Sequence, residues 1–455
     1  MPTPRRALRP TDRLVATAAR SVGRLSRRLD LGGGSSFPGL VVQKLSPGYV
    51  SRRASWLDEG VVIVSGTNGK TTTAAMVHAI LRTAGREPVT NASGANLFRG
   101  VAGALLDAPA AARSGAFEVD EGALQRVLPA ARPRVLVLTN VFRDQLDRFG
   151  EPETVAGLLA AAARTLPEGS RVVANADDPL LWHAVSDRAP VGLGVAPVGR
   201  GDDASMAGEL EICPSCSAPL EMTGRTIGHL GEGRCTRCSW RSDRPAYRAE
   251  IVDSSLAGME LRIADATVRL AVGGVHNAYN AAAALATADA MGISRHDAVR
   301  ALESFAPRFG RGEQLAVGDR SIRVLLMKNP GGAAAVLDQI ARDPLVGSIV
   351  VAVSDQDADG RDISWIWDAD FERLAGLAVP VIAGGRRASD VAVRLKYGGV
   401  TPEAVRSHPA QAVRTALSAC PPDRTPVVLA TYTAMLDVRG AVLRSRRARA
   451  ADVAA

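Results

Sequence analysis

A lysine and three threonines stand directly behind a glycine-bracketed turn, in the run Gly66-Thr67-Asn68-Gly69-Lys70-Thr71-Thr72-Thr73. These residue types in this order do phosphate chemistry. Backbone N–H groups of a tight loop, and of the helix start behind it, converge on an anion, and the helix dipole adds to their field. The lysine reaches the terminal phosphates of ATP, and the hydroxyl of Thr71 is placed to ligate the accompanying Mg2+. The general phosphate-loop spacing asks for glycine where Val64 stands, so this loop is a compact form. The apolar run Val61–Val64 ahead of it reads as a strand and the residues after Lys70 as a helix.

Other polar groups stand at the ends of predicted strands. Glu118 in AFEVDEG follows an apolar approach and is the candidate carboxylate ligand of Mg2+, with Asp120 and Glu121 as competitors. TNVFRDQLDRFG (139–150) supplies Asn140, Arg143, Asp144 and Asp147 for phosphate, metal or substrate, and NADDP (175–179) closes a third strand in the same way. His276, Asn277 and Asn280 open a helix and suit adenine or ribose; Arg311 in FGRGE suits an ATP phosphate. Cys213, Cys216, Cys235 and Cys238 form two C-x2-C pairs with zinc-ribbon spacing. Four thiolates close the shell of a structural Zn2+, and no export signal argues for disulfides instead. His229 lies between the pairs as a loop residue, and Cys420 reads as structural.

Three regions must position these groups. Residues 1–50 are a basic leader with a hinge at 31–39; residues 51–314 alternate strands and helices and predict a largely parallel, doubly wound α/β domain, with the ribbon inserted at about 205–245. Residues 315–445 predict a smaller α/β domain with four strands, and 446–455 a tail. Leu14, Val15, Ala18, Val22, Leu25 and Leu29 give the leader an amphipathic spacing, for docking on the body or on anionic lipid. The net charge of +8 is concentrated in the leader and in Arg439–Arg449, while aromatics at 4% offer few base-stacking platforms, against a nucleic-acid partner. No apolar run approaches the roughly 18 residues of a membrane span. The reading is a cytoplasmic protein, with peripheral contact to the inner face of the cell membrane as its further option.

The ordered set GTNGKTT, FEVDE, TNVFRDQLDRFGE, NADDP, HNAYN and FGRGE resembles the Mur ligase family over most of residues 50–445. The resemblance implies a Mur ligase-like central domain and the joining of an amine to a carboxylate through an acyl phosphate. It places Lys70 and Thr71 on phosphate and Mg2+, Glu118 on Mg2+, and Asn277 or Asn280 with His276 near the nucleotide. At the second-metal site two features depart from the amino-acid-adding members, and the amino-acid-accepting end differs too. Gln145 replaces a second-metal histidine, and no lysine between Lys70 and Lys328 can be carbamylated. LMKNPGG (326–332) stands where those members carry Asp-x-Ala-His-Asn-Pro.

With the four-cysteine insertion and the segments 354–372, 384–399 and 430–436, these departures resemble the family's amidating branch. That resemblance implies ATP-dependent amidation of the α-carboxylate of D-isoglutamate in the lipid II stem peptide, giving D-isoglutamine in peptidoglycan biosynthesis. Ammonia would come from a GatD-like glutamine amidotransferase subunit. The C-terminal domain would contact that subunit and lend an aspartate to its Cys–His pair, with Asp355, Asp359 and Asp362 as candidates. Trp365 and Trp367 would pack the same loop or the partner interface. The cysteines agree with that division of labour: four are committed to zinc and Cys420 lacks a histidine setting, so the chain has no glutaminase nucleophile of its own. The alternative is an amino-acid-adding Mur or folylpolyglutamate-type ligase.

Overall fold

The computed structural model describes residues 7–28, 37–91, 95–144, 151–197, 212–306 and 310–454. The first sheet is built from β1 (Gly60–Ser65), β2 (Pro88–Val89), β3 (Ser114–Glu118), β4 (Val135–Leu138), β5 (Arg171–Asn175), β6 (Val191–Val195), β9 (Tyr247–Ser254), β10 (Met259–Ile263) and β11 (Ala266–Leu270). Its order is β11-β10-β9-β6-β5-β4-β1-β3-β2. β1 lies parallel to β3 on one side and β4 on the other, with Val62 opposite both Ala116 and Val135. The chain turns to opposite sides of β1 for these neighbours, so a crevice opens at its carboxyl end, where open α/β sheets bind ligands.

β1 shows no apolar–polar alternation because both its faces are covered. Val62 and Val64 face the core shared with helices Lys70–Thr83 and Val275–Ala290. Val61 and Ile63 face the core shared with helices Phe98–Asp107, Leu124–Ala131 and Pro152–Arg164. Strands buried on both faces read as continuous β-branched runs. The Val275–Ala290 helix is half alanine and almost wholly buried, which lets it lie close against the helix that follows the phosphate loop.

The second sheet has β12 (Arg311–Val317), β13 (Arg320–Leu326), β14 (Val346–Ala352), β15 (Val381–Gly384), β16 (Ala404–Arg406) and β17 (Thr425–Ala430), in the order β12-β13-β17-β14-β15-β16. Among its described strands only the β12–β13 hairpin is antiparallel. This sheet begins at Arg311, ahead of the sequence boundary at 315, because Arg311 already pairs with Leu325. The last helix, Tyr432–Ala454, runs through the expected boundary at 446. The antiparallel β9–β11 edge and β12 escaped the strand reading, since β10 and β11 alternate inward apolar and outward residues, Arg262 and Arg269 among the latter, and β9 is half-buried or exposed over most of its length. The ribbon is the hairpin β7 (Leu220–Ile227) and β8 (Leu230–Cys235); Ile227 and Leu230 at its tip sit in the central core.

The leader folds as helix Pro10–Arg28 and packs on helix Phe37–Leu45, so the last part of the expected hinge is helical. Its inward face is Asp12, Ala16, Ala19 and Gly23, whereas Leu14 of the apolar spacing is 72% exposed. Small residues let the helices approach, and Asp12 fixes the dock. Its carboxylate accepts two bonds from the Arg52 guanidinium, both at 2.7 Å, and one from Ser46 Oγ at 2.5 Å. The Arg52 bond, then Ser46 and the Arg9 N–H, outweigh burial and hold the Asp12 carboxyl at about 2. Among the described residues, no helix is long and apolar enough to cross a membrane.

A carboxylate depressed from about 3.9 gives stability that is complete above that value and is lost as pH falls through it towards 2. Asp12→Ala leaves Arg52 unpaired in a mostly buried place and should cost about 3 kcal/mol of docking free energy. The measurement is amide hydrogen exchange in residues 10–24. Exchange should accelerate strongly in Asp12→Ala at neutral pH, and in the native chain as pH drops below about 4, with the β1 amides unaffected.

Candidate active site

The loop between β1 and helix Lys70–Thr83 is shaped by two glycines with positive φ, Gly66 at 118° and Gly69 at 86°. A Cβ on Gly66 would lie 2.4 Å from Thr139 Oγ1, and one on Gly69 would lie 2.4 Å from Asn280 Oδ1. Backbone conformation and close approach both demand glycine there. Asn140, at the end of the neighbouring strand, pins the loop from below. Its Oδ1 accepts from Asn68 N at 2.8 Å, its Nδ2 donates to Asn68 O at 3.1 Å, and its carbonyl accepts from Thr67 N at 2.8 Å. The Thr67 hydroxyl accepts from Phe142 N at 3.1 Å. The first helical bond at this end runs from Thr73 N to Gly69 O at 2.9 Å. The N–H groups of Lys70, Thr71 and Thr72 are therefore those that a helix start leaves for an anion.

The charged groups around the nest hold one another in place. Lys70 Nζ donates to Gly66 O, to Thr67 O at 3.3 Å and to Glu121 Oε1 at 3.1 Å. Burial alone would lower its pKa, but Glu121, Glu118 and Asp144 together raise it, so the ammonium stays charged. The Thr71 hydroxyl donates to Glu118 Oε2 at 2.7 Å and accepts from Arg311 Nη2 at 3.1 Å. A hydroxyl and a carboxylate oxygen converging at the loop are a hard-donor pair that fits Mg2+. Asn91, which the sequence reading passed over, clamps Glu118: its Oδ1 accepts from Glu118 N at 3.0 Å and its Nδ2 donates to Glu118 O at 2.8 Å. Asp120 accepts from Gly122 N at 3.2 Å.

Behind the loop, Thr73 Oγ1 donates to Asn280 Oδ1 at 3.1 Å, and Asn280 Nδ2 donates to Asn277 Oδ1 at 3.1 Å. Both asparagines are buried and join the two central helices. His276 lies against Asn277, and burial pushes its imidazole down to about 4, so it is neutral at physiological pH. The acids of NADDP turn inward, away from a phosphate or metal. Asp177 accepts from Val195 N and the Tyr279 hydroxyl, each at 2.7 Å; burial raises it to about 6. Asp178 caps helix Pro179–Val185 through Leu181 N at 3.0 Å and accepts from Val141 N at 2.7 Å. Arg143 pairs with Glu151 on the surface. Gln145 and Asp147 lie outside the described residues.

A cavity of about 860 Å3 brings both sheets' loops together. Residues Asn68 to Thr72, Glu118, Asn140, His276 and Asn280 line it from the central side; Arg311, Lys328, Asp359 and Tyr432 line it from the other. Polar contacts bridge the gap. Lys328 Nζ lies 2.5 Å from Asp144 Oδ2, and the amides of Asn68 and Asn329 exchange bonds of 3.3 and 3.1 Å. Asn329 also caps helix Pro330–Arg342 by accepting from Gly332 N at 2.8 Å. The segment that departs from the amino-acid-adding pattern thus touches the phosphate loop directly. Lys328 and Asn329 carried no role in the sequence reading; the scarcity of lysine was the available signal for Lys328.

The four ribbon cysteines place their Sγ atoms within 4.8 Å of one another. Cys213 and Cys238 are 3.6 Å apart, Cys216 and Cys235 3.5 Å. Tetrahedral Zn–S bonds of about 2.3 Å need sulfurs roughly 3.8 Å apart, so the group fits Zn2+. Arg237 N and Cys238 N both donate to Cys235 Sγ at 3.2 Å, which steadies a thiolate. His229 is buried against Phe142, outside the cluster. Cys420 is buried, its thiol 3.4 Å from the Pro421 and Arg424 carbonyls.

The three aspartates after β14 are not brought together. Asp355 sits between Arg387 at 3.2 Å and Arg386 at 3.3 Å, and the Arg387 bond leads in holding its carboxyl low. Asp359 Oδ1 accepts from Thr433 N at 2.9 Å, at the start of the last helix and beside the cavity. Asp362 is exposed and accepts from Ser364 N at 2.8 Å and Ser364 Oγ at 3.0 Å. Trp365 packs on the core, while Trp367 is half exposed and meets Tyr397 edge-on at 5.6 Å.

The fold and its loop define a Mur ligase-type α/β protein. The Mur ligase middle-domain profile matches residues 64–213 and the MurT ligase C-terminal profile matches residues 326–435. A pseudomurein peptide ligase type C from Methanothermus fervidus superposes with a TM-score of 0.68 at 21% identity, over 89% of this chain and 84% of that one. MurF from Thermotoga maritima in complex with ADP gives 0.62 at 16%, over 88% and 85%. The lipid II isoglutaminyl synthase (glutamine-hydrolyzing) subunit MurT of Streptococcus pneumoniae is 33% identical over 90% of this chain and 92% of its own length. Its Staphylococcus aureus counterpart is 30% identical over 85% and 86%. The chain belongs to the MurT family.

Asn140 makes both side-chain bonds to Asn68, so Asn140→Ala should loosen the nest without touching either core. A loss of about 1.5 kcal/mol is expected for two such bonds, read as up to a roughly tenfold higher Kd for ATP by calorimetry, with the melting temperature lowered by no more than a few degrees.

Proposed function

We propose that this chain is the ATP-using subunit of a lipid II isoglutaminyl synthase. It would convert the α-carboxylate of D-isoglutamate in the lipid II stem peptide to the amide of D-isoglutamine, with ammonia from a glutamine amidotransferase subunit. One observation carries the reading. The anion nest, the Thr71–Glu118 pair and Lys328 line one cavity, with Asn329 bonded to Asn68 of the nest, in a chain whose relatives over most of their length bear that name. The nucleotide would be held within residues 51–314, and residues 315–445 would meet the glutaminase.

The nest N–H groups and Lys70 would hold the phosphates of ATP, Lys70 leaving Gly66 O for a phosphoryl oxygen. Thr71 and Glu118 would hold Mg2+, which neutralises charge on the transferring phosphoryl group. Lys328 and Arg311 bring positive charge to the cavity from the other side, where developing negative charge is stabilised best. The acceptor carboxylate oxygen takes the γ-phosphoryl group as ADP leaves; ammonia then attacks the acyl carbon and phosphate departs. A cavity walled by both domains shields the acyl phosphate from water. For the partner's Cys–His pair, Asp362 is the best placed of the three aspartates. Asp355 is already neutralised by two arginines, and Asp359 faces the cavity and the last helix. The ribbon would hold one Zn2+ and brace the cavity wall through Ile227 and Leu230.

Lys70→Ala should lower amidation of lipid II by roughly 10²–10³-fold or more, while zinc content and association with the glutaminase stay intact. Amidation near the native rate would refute the assignment. Metal analysis should find zinc in equimolar amount with the chain, lost in the Cys213→Ser/Cys238→Ser double variant. Asp362→Asn should abolish glutamine hydrolysis in the complex yet leave amidation driven by ammonium chloride; hydrolysis at the native rate would remove Asp362 from the partner's site.

A further inference from the structure

The first 54 residues carry eleven Lys or Arg against only Asp12 and Asp30, so the rest of the chain is close to neutral beside a total of +8. Folding takes Arg52 and Arg53 into the body, on Asp12 and on the Ala108 and Pro109 carbonyls, but leaves other cations outside. Arg9, Arg13 and Arg24 of the leader segment are exposed, as is Lys44 of the helix beneath it. Three large apolar side chains stand open among them: Leu14 at 72%, Leu45 at 65% and Phe37 at 48% exposure. Arg13, Thr17, Arg20 and Arg24 follow the i, i+4, i+7 spacing of one shoulder of the helix, and Leu14 lies opposite the buried face of Asp12, Ala16, Ala19 and Gly23. An exposed leucine beside a cationic shoulder, on a helix tied down by a buried carboxylate, does nothing for the core it sits on.

We infer that the outward face of this two-helix layer is a contact surface for an anionic phospholipid bilayer. Charge complementarity favours that occupant: lipid phosphates meet the arginine shoulder while Leu14 enters the headgroup boundary. The position of the layer supports it. Gly39 packs so tightly on helix Phe98–Asp107 that a Cβ there would meet the Arg99 carbonyl oxygen. Arg99 and Asn96, at the head of that helix, line the active-site cavity. The surface is therefore one helix away from the cavity wall. It would hold the cavity beside the membrane that carries a lipid-linked acceptor; this last step alone rests on the proposed function.

The test uses the full chain co-purified with its glutaminase and flotation with two kinds of vesicle, phosphatidylcholine alone and phosphatidylcholine mixed with phosphatidylglycerol. Binding is expected to the mixed vesicles only and to weaken at high salt. Leu14→Glu and the Arg13→Glu/Arg24→Glu double variant should each weaken it at least about tenfold, with unchanged melting temperature and glutaminase co-purification. Amidation of vesicle-borne lipid II should show a raised KM in these variants, while amidation of a detergent-free, lipid-free muropeptide acceptor stays at the native rate. No flotation of the native complex, equal flotation of the variants, or loss of the glutaminase from them would overturn the inference, the last giving the face to the partner protein. Flotation without amidation of either acceptor by the native complex would instead strike the proposed function and leave the lipid contact standing.

Discussion

Everything at the site depends on keeping a few backbone N–H groups pointed into the cavity. A helix start has such groups by necessity, but a loop of two glycines, one threonine and one asparagine would otherwise relax to satisfy itself. Asn140 prevents this by binding both the N–H and the carbonyl oxygen of Asn68, and Phe142 N occupies the Thr67 hydroxyl. Thr67 and Asn68 are thus engaged by the scaffold, which leaves the N–H groups of the helix start to meet an anion. Preorganised donors of this kind need no reorganisation when charge arrives.

The same principle governs the ionic groups. Lys70 would be costly in a buried place without a carboxylate, and Glu118 without a donor. Each has a temporary partner: Glu121 and carbonyl oxygens for Lys70, Thr71 for Glu118, Arg311 for Thr71. A phosphate and its cation offer better partners to the same atoms, so binding exchanges contacts and does not have to create charges. The contacts between the two sheets follow this logic too. Asn68 with Asn329, Lys328 with Asp144 and Arg311 with Thr71 are polar and partly open to water. Interfaces of this kind yield to domain motion more readily than apolar ones, and each of the three includes a residue that lines the cavity.

The sequence revealed the nest because its chemistry is local: glycine, lysine and threonine must be adjacent in the chain to be adjacent in space. The four-cysteine ribbon was legible for the same reason, two short knuckles with fixed spacing. β1, β4, β5, β13, β14, β15 and β17 were legible because strands covered on both faces are mostly apolar runs rich in β-branched residues. What stayed hidden was long-range. Asn91 supports Glu118, and Asn329 reaches Asn68, across separations that no spacing rule reports. NADDP misled for the opposite reason. A pair of aspartates at a strand end looks like a ligand set, but Asp178 caps the following helix and Asp177 holds β6 to Tyr279. Composition cannot separate a carboxylate that binds backbone N–H groups from one that waits for a metal. The leader's apolar spacing misled similarly, since alanine and glycine made the buried face and left the larger Leu14 outside.

The aspartates after β14 show how one loop can serve two surfaces. Asp355 is locked by arginines at the strand end, Asp359 is tied to Thr433 N where the last helix begins, and Asp362 caps the Ser364 turn on the outside. A run of acids in sequence reads as one solvated patch; three different anchors turn it into a strap that leaves the sheet, touches the cavity and emerges at the surface. Asp359 binds the N-terminus of the helix whose first residue, Tyr432, also lines the cavity. A shift at the exposed Ser364 turn, held by Asp362, therefore has only Gly360 and Arg361 between that aspartate and a group fixed at the active site. With a positive φ of 86° at Gly360, the backbone there takes a turn that a side chain would oppose. The short path between surface and cavity is thus a property of this loop's anchors, present in the chain before any partner arrives.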